Sequence, residues 1–144
     1  MPGPISSYSA LPGDRTFAEP LVAILHAGYA FIPFGLLLAA VHAAGPDSVP
    51  LTAPVHAWTT GMVGVMTLAV MTRASLGHTG HALTATPAIT LIYACALTAA
   101  ATRIFAAMGE AHALTLWIAA VGWLAAFGGF VVVFGPLLIA KRRA

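Results

Sequence analysis

The chain has 144 residues, of which six are basic and four are acidic, and 60% belong to the hydrophobic set. Charged residues make up 7% of it, against about 25% in an average soluble domain, which excludes an ordinary soluble protein. The high hydrophobicity excludes a disordered chain. The small net charge of +2 comes without a basic stripe or a phosphate-binding glycine loop, so nucleic acid is not an expected partner.

Long charge-free runs dominate the sequence, at residues 20–46, 48–72, 74–102 and 111–140. Each run is longer than the roughly 20 residues that a helix needs to cross the hydrocarbon core of a bilayer. Barrel strands would alternate apolar and polar residues, and these runs do not. The sequence therefore predicts an all-α membrane protein with four transmembrane helices.

The predicted elements follow in chain order, beginning with a flexible N-terminal tail at residues 1–17. A four-helix transmembrane domain at 18–140 then contains helices at about 18–43, 53–74, 86–104 and 113–138. Short connections rich in proline and glycine separate the helices. A basic C-terminal end at 141–144 is expected to meet anionic lipid headgroups.

The distribution of basic residues predicts the orientation of the bundle, because cytoplasmic loops carry an excess of lysine and arginine. One side of the membrane would hold five basic residues, and the other would hold only Arg103; the five are Arg15, Arg73, Lys141, Arg142 and Arg143. We therefore expect both termini to be cytoplasmic.

Histidine is over-represented, with six copies against four acidic residues. A histidine within a membrane span is costly and marks a candidate functional site, and its imidazole is a common ligand of metals and of haem iron. His26 shares a helix face with Tyr29 and Pro33. It is a candidate ligand, although an interhelical hydrogen bond would also explain it.

The second predicted helix carries a polar face. At 100° per residue, one narrow arc collects two imidazoles, two hydroxyls and a thioether, which belong to His56, Thr60, Thr67, Met71 and His78. We expect this face to point into the bundle. His56 and His78 are separated by about 33 Å along a straight helix, so they belong to different depths. His26 lies in the same half of the membrane as His78, which favours that pair as a shared site.

The other histidines and the single cysteine have simpler interpretations. His78 and His81 form an H-x-x-H motif that suits one metal on a helix, but Gly77 and Gly80 argue against helical backbone there. His42 is explained by an interfacial position, and His112 by a solvated loop. Cys95 is expected in mid-membrane as a small core residue.

Arg73 interrupts the apolar pattern near the end of the second predicted helix. Its guanidinium fork suits a carboxylate, including a haem propionate. The alternative is an anchor that reaches the lipid phosphates, and the sequence leaves both open.

The chain resembles the NnrS family of bacterial membrane proteins in two segments, residues 25–37 (LHAGYAFIPFGLL) and 56–80 (HAWTTGMVGVMTLAVMTRASLGHTG). The resemblance extends more loosely through the last two helices, and it corresponds to the C-terminal part of longer family members. It implies a multi-pass protein of the bacterial inner membrane that binds haem and copper and is associated with denitrification and resistance to nitric oxide stress. His26, His56 and His78 match the family's histidines.

The resemblance implies no particular reaction, and no acid pair or Ser-His-Asp set indicates hydrolysis. Further transmembrane helices or a second copy would have to supply missing metal ligands. A transporter or channel module that uses the polar face as a path remains an alternative. A structural subunit of a larger membrane complex, with histidines as interhelical hydrogen-bonding groups, is another.

Overall fold

The computed structural model describes residues 19–109 and 112–139, and these contain four long helices. We name them α1 (Pro20–Ala44), α2 (Thr52–His78), α3 (Pro87–Met108) and α4 (His112–Ile139). All four are long and apolar enough to cross a membrane, which confirms the predicted fold class. The predicted tail at 1–17, the basic end at 141–144 and the side chain of His112 lie outside the described residues.

Local sequence signals explain where the helices begin. α1 and α3 both start with a proline, which fits the first helical turn because its missing N–H would have no intrahelical partner. The Thr86 side chain caps α3 by accepting the backbone N–H of Ile89 at 3.3 Å. α2 and α3 each continue four residues past their predicted ends, to His78 and Met108.

The four helices form an antiparallel bundle in which neighbours along the chain pack against each other. α1 packs on α2, α2 also packs on α3 and α4, and α3 and α4 share the most extensive contact. One end of the bundle holds the start of α1 and the ends of α2 and α4, and we call it the terminal end. The opposite end, with the α1–α2 and α3–α4 connections, is the distal end.

Glycines let α1 and α2 approach closely and fix their register. A Cβ atom on Gly28 would lie 2.6 Å from Met66, and side chains of Trp58 and Phe31 fill the space beside Gly35 and Gly61. The Trp58 indole also donates a hydrogen bond to the carbonyl of Ile32 across the contact, at 3.4 Å. Small residues at helix contacts are expected in membranes, where close packing replaces the hydrophobic effect as the main attraction between helices.

α2 changes its winding along its length. Residues Ala57–Gly64 form π-helical turns, and ordinary α-helix resumes at Val65. Hydrogen bonds in a π-helix join residues five apart instead of four, so the residues that follow are rotated relative to an ideal α-helix. A helical wheel drawn with 100° per residue from His56 therefore misplaces the second half of α2.

Candidate metal centre

The structure distributes the predicted ligands over three depths of the bundle. Gly28 of α1 faces Met66 of α2, and because the two helices are antiparallel, His26 lies level with Leu68. His78 lies ten residues beyond Leu68 along α2, which is about 15 Å at 1.5 Å per residue. His56 lies on the other side of that level, near the distal end.

The predicted pairing of His26 with His78 is therefore wrong within this chain. The two belong to the same half of the bundle, but α1 and α2 hold them at different depths. In the part of the chain that the structure describes, no three His, Cys, Asp or Glu side chains form a group that could hold a metal ion. Among the described residues, the imidazoles of His26, His56 and His78 thus lie at separate depths.

His26 lies on the exposed side of α1, opposite the buried residues Leu21, Ile24 and Gly28. Its Nδ1 is 2.9 Å from the carbonyl oxygen of Val22. A carbonyl oxygen can only accept, so Nδ1 carries the hydrogen and Nε2 carries the lone pair. Histidines that bind metals are commonly oriented by such a bond from the other ring nitrogen. His26 therefore fits the role of a single ligand to haem iron or copper.

His56 is half-buried in the turn that precedes the π-helical segment. Its backbone carbonyl accepts a hydrogen bond from the Thr60 hydroxyl at 2.6 Å. Arg103 of α3 is close enough to interact electrostatically with the imidazole. Thr60 and Arg103 also line a pocket of about 590 Å³, whose opposite wall is formed by apolar residues of α4 including Trp123. The distal end thus places an imidazole near a guanidinium beside an apolar pocket.

His78 is the last residue of α2, and it is exposed at the terminal end. Together with His81 it lines a pocket of about 590 Å³ that is closed on one side by Leu137 and Leu138 of α4. The helix continues through Gly77, which the sequence argument on the H-x-x-H motif did not expect. His78 and His81 thus line the same space.

The predicted polar face of α2 points into the bundle only in part, because His56 and Thr60 are half-buried whereas the rest of the face is not. Thr67, Met71 and His78 are exposed, and the buried face is instead built from the residues Val65, Leu68, Ala69, Thr72, Ser75 and Leu76. Close packing selects this face, because the small and aliphatic side chains fit against α1, α3 and α4. The π-helical turns add to the error of the helical wheel.

Arg73 is half-buried near the terminal end, beside the fully buried Thr72. The charges of Arg73 and Glu19 both interact electrostatically with the hydroxyl of Tyr93 in α3. The Tyr93 side chain is only 4% exposed, and its hydroxyl lies beside Thr72 without reaching hydrogen-bonding geometry. We did not single out Tyr93 from the sequence, although it is an isolated phenol in the charge-free run of the third predicted helix.

Comparison with known proteins identifies the family. The family model described as NnrS protein matches residues 8–142, which is nearly the whole chain. Searches of curated proteins and of solved structures found no match. The four membrane-spanning helices agree with the resemblance seen in the sequence. The chain belongs to the NnrS family.

Proposed function

We propose that this chain is a haem- and copper-binding membrane protein that contributes to resistance against nitric oxide stress and to denitrification, in the bacterial inner membrane. Family membership supports the association with nitric oxide. The observation that carries metal binding is the His26 imidazole, whose Nδ1–H is held by the Val22 carbonyl. Bound haem or copper would supply the capacity to bind nitric oxide and to exchange single electrons.

The contribution of this chain's residues would be to present one ligand at each depth. His26 lies on the exposed side of α1 with its Nδ1 held by the Val22 carbonyl, and His56 lies near Arg103 at the distal end. Arg73, half-buried near the terminal end, offers a guanidinium to a propionate or a phosphate. Because each depth lacks a full ligand set within the described residues, further transmembrane helices or a second copy would complete the centres.

The experiment compares histidine variants of the detergent-purified chain from haem-replete, copper-supplemented cells. We expect His26→Ala, His56→Ala and His78→Ala each to lower the Soret absorbance or the copper content per chain. His42→Ala is the matched control, because His42 makes the same type of Nδ1 bond, to the Val49 carbonyl at 2.7 Å, but is not one of the histidines that match those of the family. Unchanged haem and copper in all three variants would overturn the assignment.

The proposed orientation places the terminal end in the cytoplasm. Arg73 lies near that end among the described residues, and Arg103 lies near the distal end; the excess of basic residues in the sequence supports a cytoplasmic terminal end. Reporter fusions after residue 144 test this directly. A fluorescent protein that folds in the cytoplasm should be active, and an alkaline phosphatase that needs the periplasm should not. The reverse pattern would contradict the orientation.

The transport alternative gains no support from the structure. It needs a polar path inside the bundle, whereas Thr67, Met71 and His78 are exposed. Metal binding remains the function that the geometry supports best.

A further inference from the structure

The end of α2 is closed by a turn that returns the chain to the helix. The backbone N–H of His81 donates to the carbonyl of Leu76 at 3.0 Å, and that of Gly80 donates to Gly77 at 3.3 Å. Gly80 has a φ of +73°, which L side chains rarely adopt. These features define a Schellman motif. The motif holds His81 beside the last turn of α2, where His78 is located.

Hydrogen bonding fixes which nitrogen of His81 carries the proton. The Thr79 hydroxyl donates its single hydrogen to the Ser75 carbonyl at 2.7 Å, with a second, longer contact to Leu76 at 3.3 Å. Its oxygen is 2.9 Å from Nδ1 of His81, so the hydroxyl accepts and Nδ1 donates. The lone pair of His81 therefore lies on Nε2. A metal-binding histidine is commonly prepared in this way.

The two imidazoles share a pocket that has apolar side chains on one wall. His78 and His81 line it together with Leu137 and Leu138 of α4. Both histidines are exposed, so water can enter and complete a coordination shell. Within 19–109 and 112–139 the structure offers no third His, Cys, Asp or Glu for this group, so it provides two nitrogens and leaves the other positions open.

We propose that His78 and His81 together bind one copper(II) ion, with Thr79 as the residue that positions His81. His78 and His81 line one pocket, where both imidazoles would face the same bound ion. The pair therefore suits a small metal ion. Imidazole is a good ligand for copper, which binds most tightly among the divalent first-row metals. This inference rests on the proposed metal-binding function and assigns copper to His78.

The test is a titration of the full chain in detergent, first washed with chelator, with copper(II) chloride. Electron paramagnetic resonance should show one copper ion per chain with hyperfine splitting from two coordinated nitrogens. We expect His78→Ala and His81→Ala each to weaken copper binding at least about tenfold and to leave fewer nitrogens in the spectrum. His42 lies at the distal end and has the same type of Nδ1 bond to an oxygen. Copper binding by His42→Ala should therefore match that of the wild type.

Thr79 allows a second test in which both histidines are retained. Thr79→Val removes the hydroxyl that orients His81, and we expect about tenfold weaker copper binding with two nitrogens still coordinated at saturation. Thr102→Val is its control, because the Thr102 hydroxyl also donates to a carbonyl one turn earlier, at 2.7 Å, with no histidine bonded to it among the described residues. Thr102→Val should bind copper like the wild type.

Two results would overturn the inference. One is copper binding in His78→Ala and His81→Ala equal to that of the wild type. The other is loss of the Soret band in His81→Ala with copper binding intact, which would make this a haem site. A wild type that keeps haem but lacks this copper site refutes only the inference. A wild type that binds copper at these two residues but lacks haem supports the inference and refutes the haem part of the proposed function.

Discussion

The two ends of the bundle use histidine in different ways. At the distal end, Nδ1 of His42 donates to the carbonyl of Val49, seven residues later, and so ties the α1–α2 connection to the end of α1. At the terminal end, Nδ1 of His81 donates to Thr79, and a second histidine lines the same pocket. The same ring nitrogen is satisfied in both places. The two histidines therefore differ in their surroundings and not in the hydrogen bond of Nδ1.

The ends also differ in what holds them together. The distal half of the α1–α2 contact relies on glycines that receive aromatic rings, such as Gly35 against Trp58. The terminal end relies on polar bonds, including one from the Ala85 N–H to the Glu19 carboxylate at 2.9 Å. Overpacking should therefore be most harmful near the distal end, and loss of hydrogen bonds at the terminal end.

The largest effect is expected from Gly35→Leu. Its side chain would collide with the Trp58 indole, and overpacking of this kind costs about 3 kcal/mol of unfolding free energy. Gly128→Leu is the control, because a Cβ there meets nothing within 4 Å. Unfolding in mixed micelles by a denaturing detergent measures both. Equal stability of the two variants would show that the α1–α2 contact is not close.

A smaller loss is expected from Gly80→Ala at the terminal end. Its φ of +73° places a side chain in a left-handed conformation that costs about 1 to 2 kcal/mol. Gly77→Ala, three residues earlier in ordinary helix and in open space, should instead stabilise the helix end by up to about 1 kcal/mol. Hydrogen exchange of the amides at 76–82 reports on both, and the same direction of change in the two variants would refute the turn.

Glu19→Ala should cost about 1 kcal/mol, because it removes the acceptor of the Ala85 N–H. Glu19→Gln keeps an oxygen acceptor without the charge and should lose less. The exchange rate of the Ala85 amide measures the effect. No increase in that rate in Glu19→Ala would contradict the bond.

The smallest effect is expected from His42→Ala, which removes one hydrogen bond to a partly exposed loop at the distal end. We expect a loss of about 0.5 kcal/mol of unfolding free energy. His42→Asn, which retains a donor, should recover part of it. A gain of stability in His42→Ala would mean that the bond to Val49 does not hold the connection.

The sequence predicted the four spans because most of each span lies in a run without charges, and lipid forces such runs into helices. It placed the end of α2 too early, although Gly80 followed by a turn is a recognisable helix stop. The buried face predicted for α2 was wrong in part, because the prediction ranked the polarity of the side chains above their size. The buried positions Ala53, Ala57 and Gly61 show that close approach to α1 and α3 decides the face.

The candidate site was less accessible to sequence reasoning. The number of residues between His56 and His78 gave their separation in depth. The depth of His26 relative to α2 could be read only from the contact between Gly28 and Met66. The shared pocket of His78 and His81 depends on the turn at Gly80 and on Leu137 of α4, which is distant in sequence. Such long-range neighbours are set by packing and not by a local pattern.

The central claim is that imidazoles of this membrane-spanning chain bind haem and copper. Elemental analysis and an absorption spectrum of the purified wild-type chain test it most directly. In protein from haem-replete, copper-supplemented cells, we expect bound iron with a Soret band, together with bound copper. A colourless protein without iron or copper would contradict it.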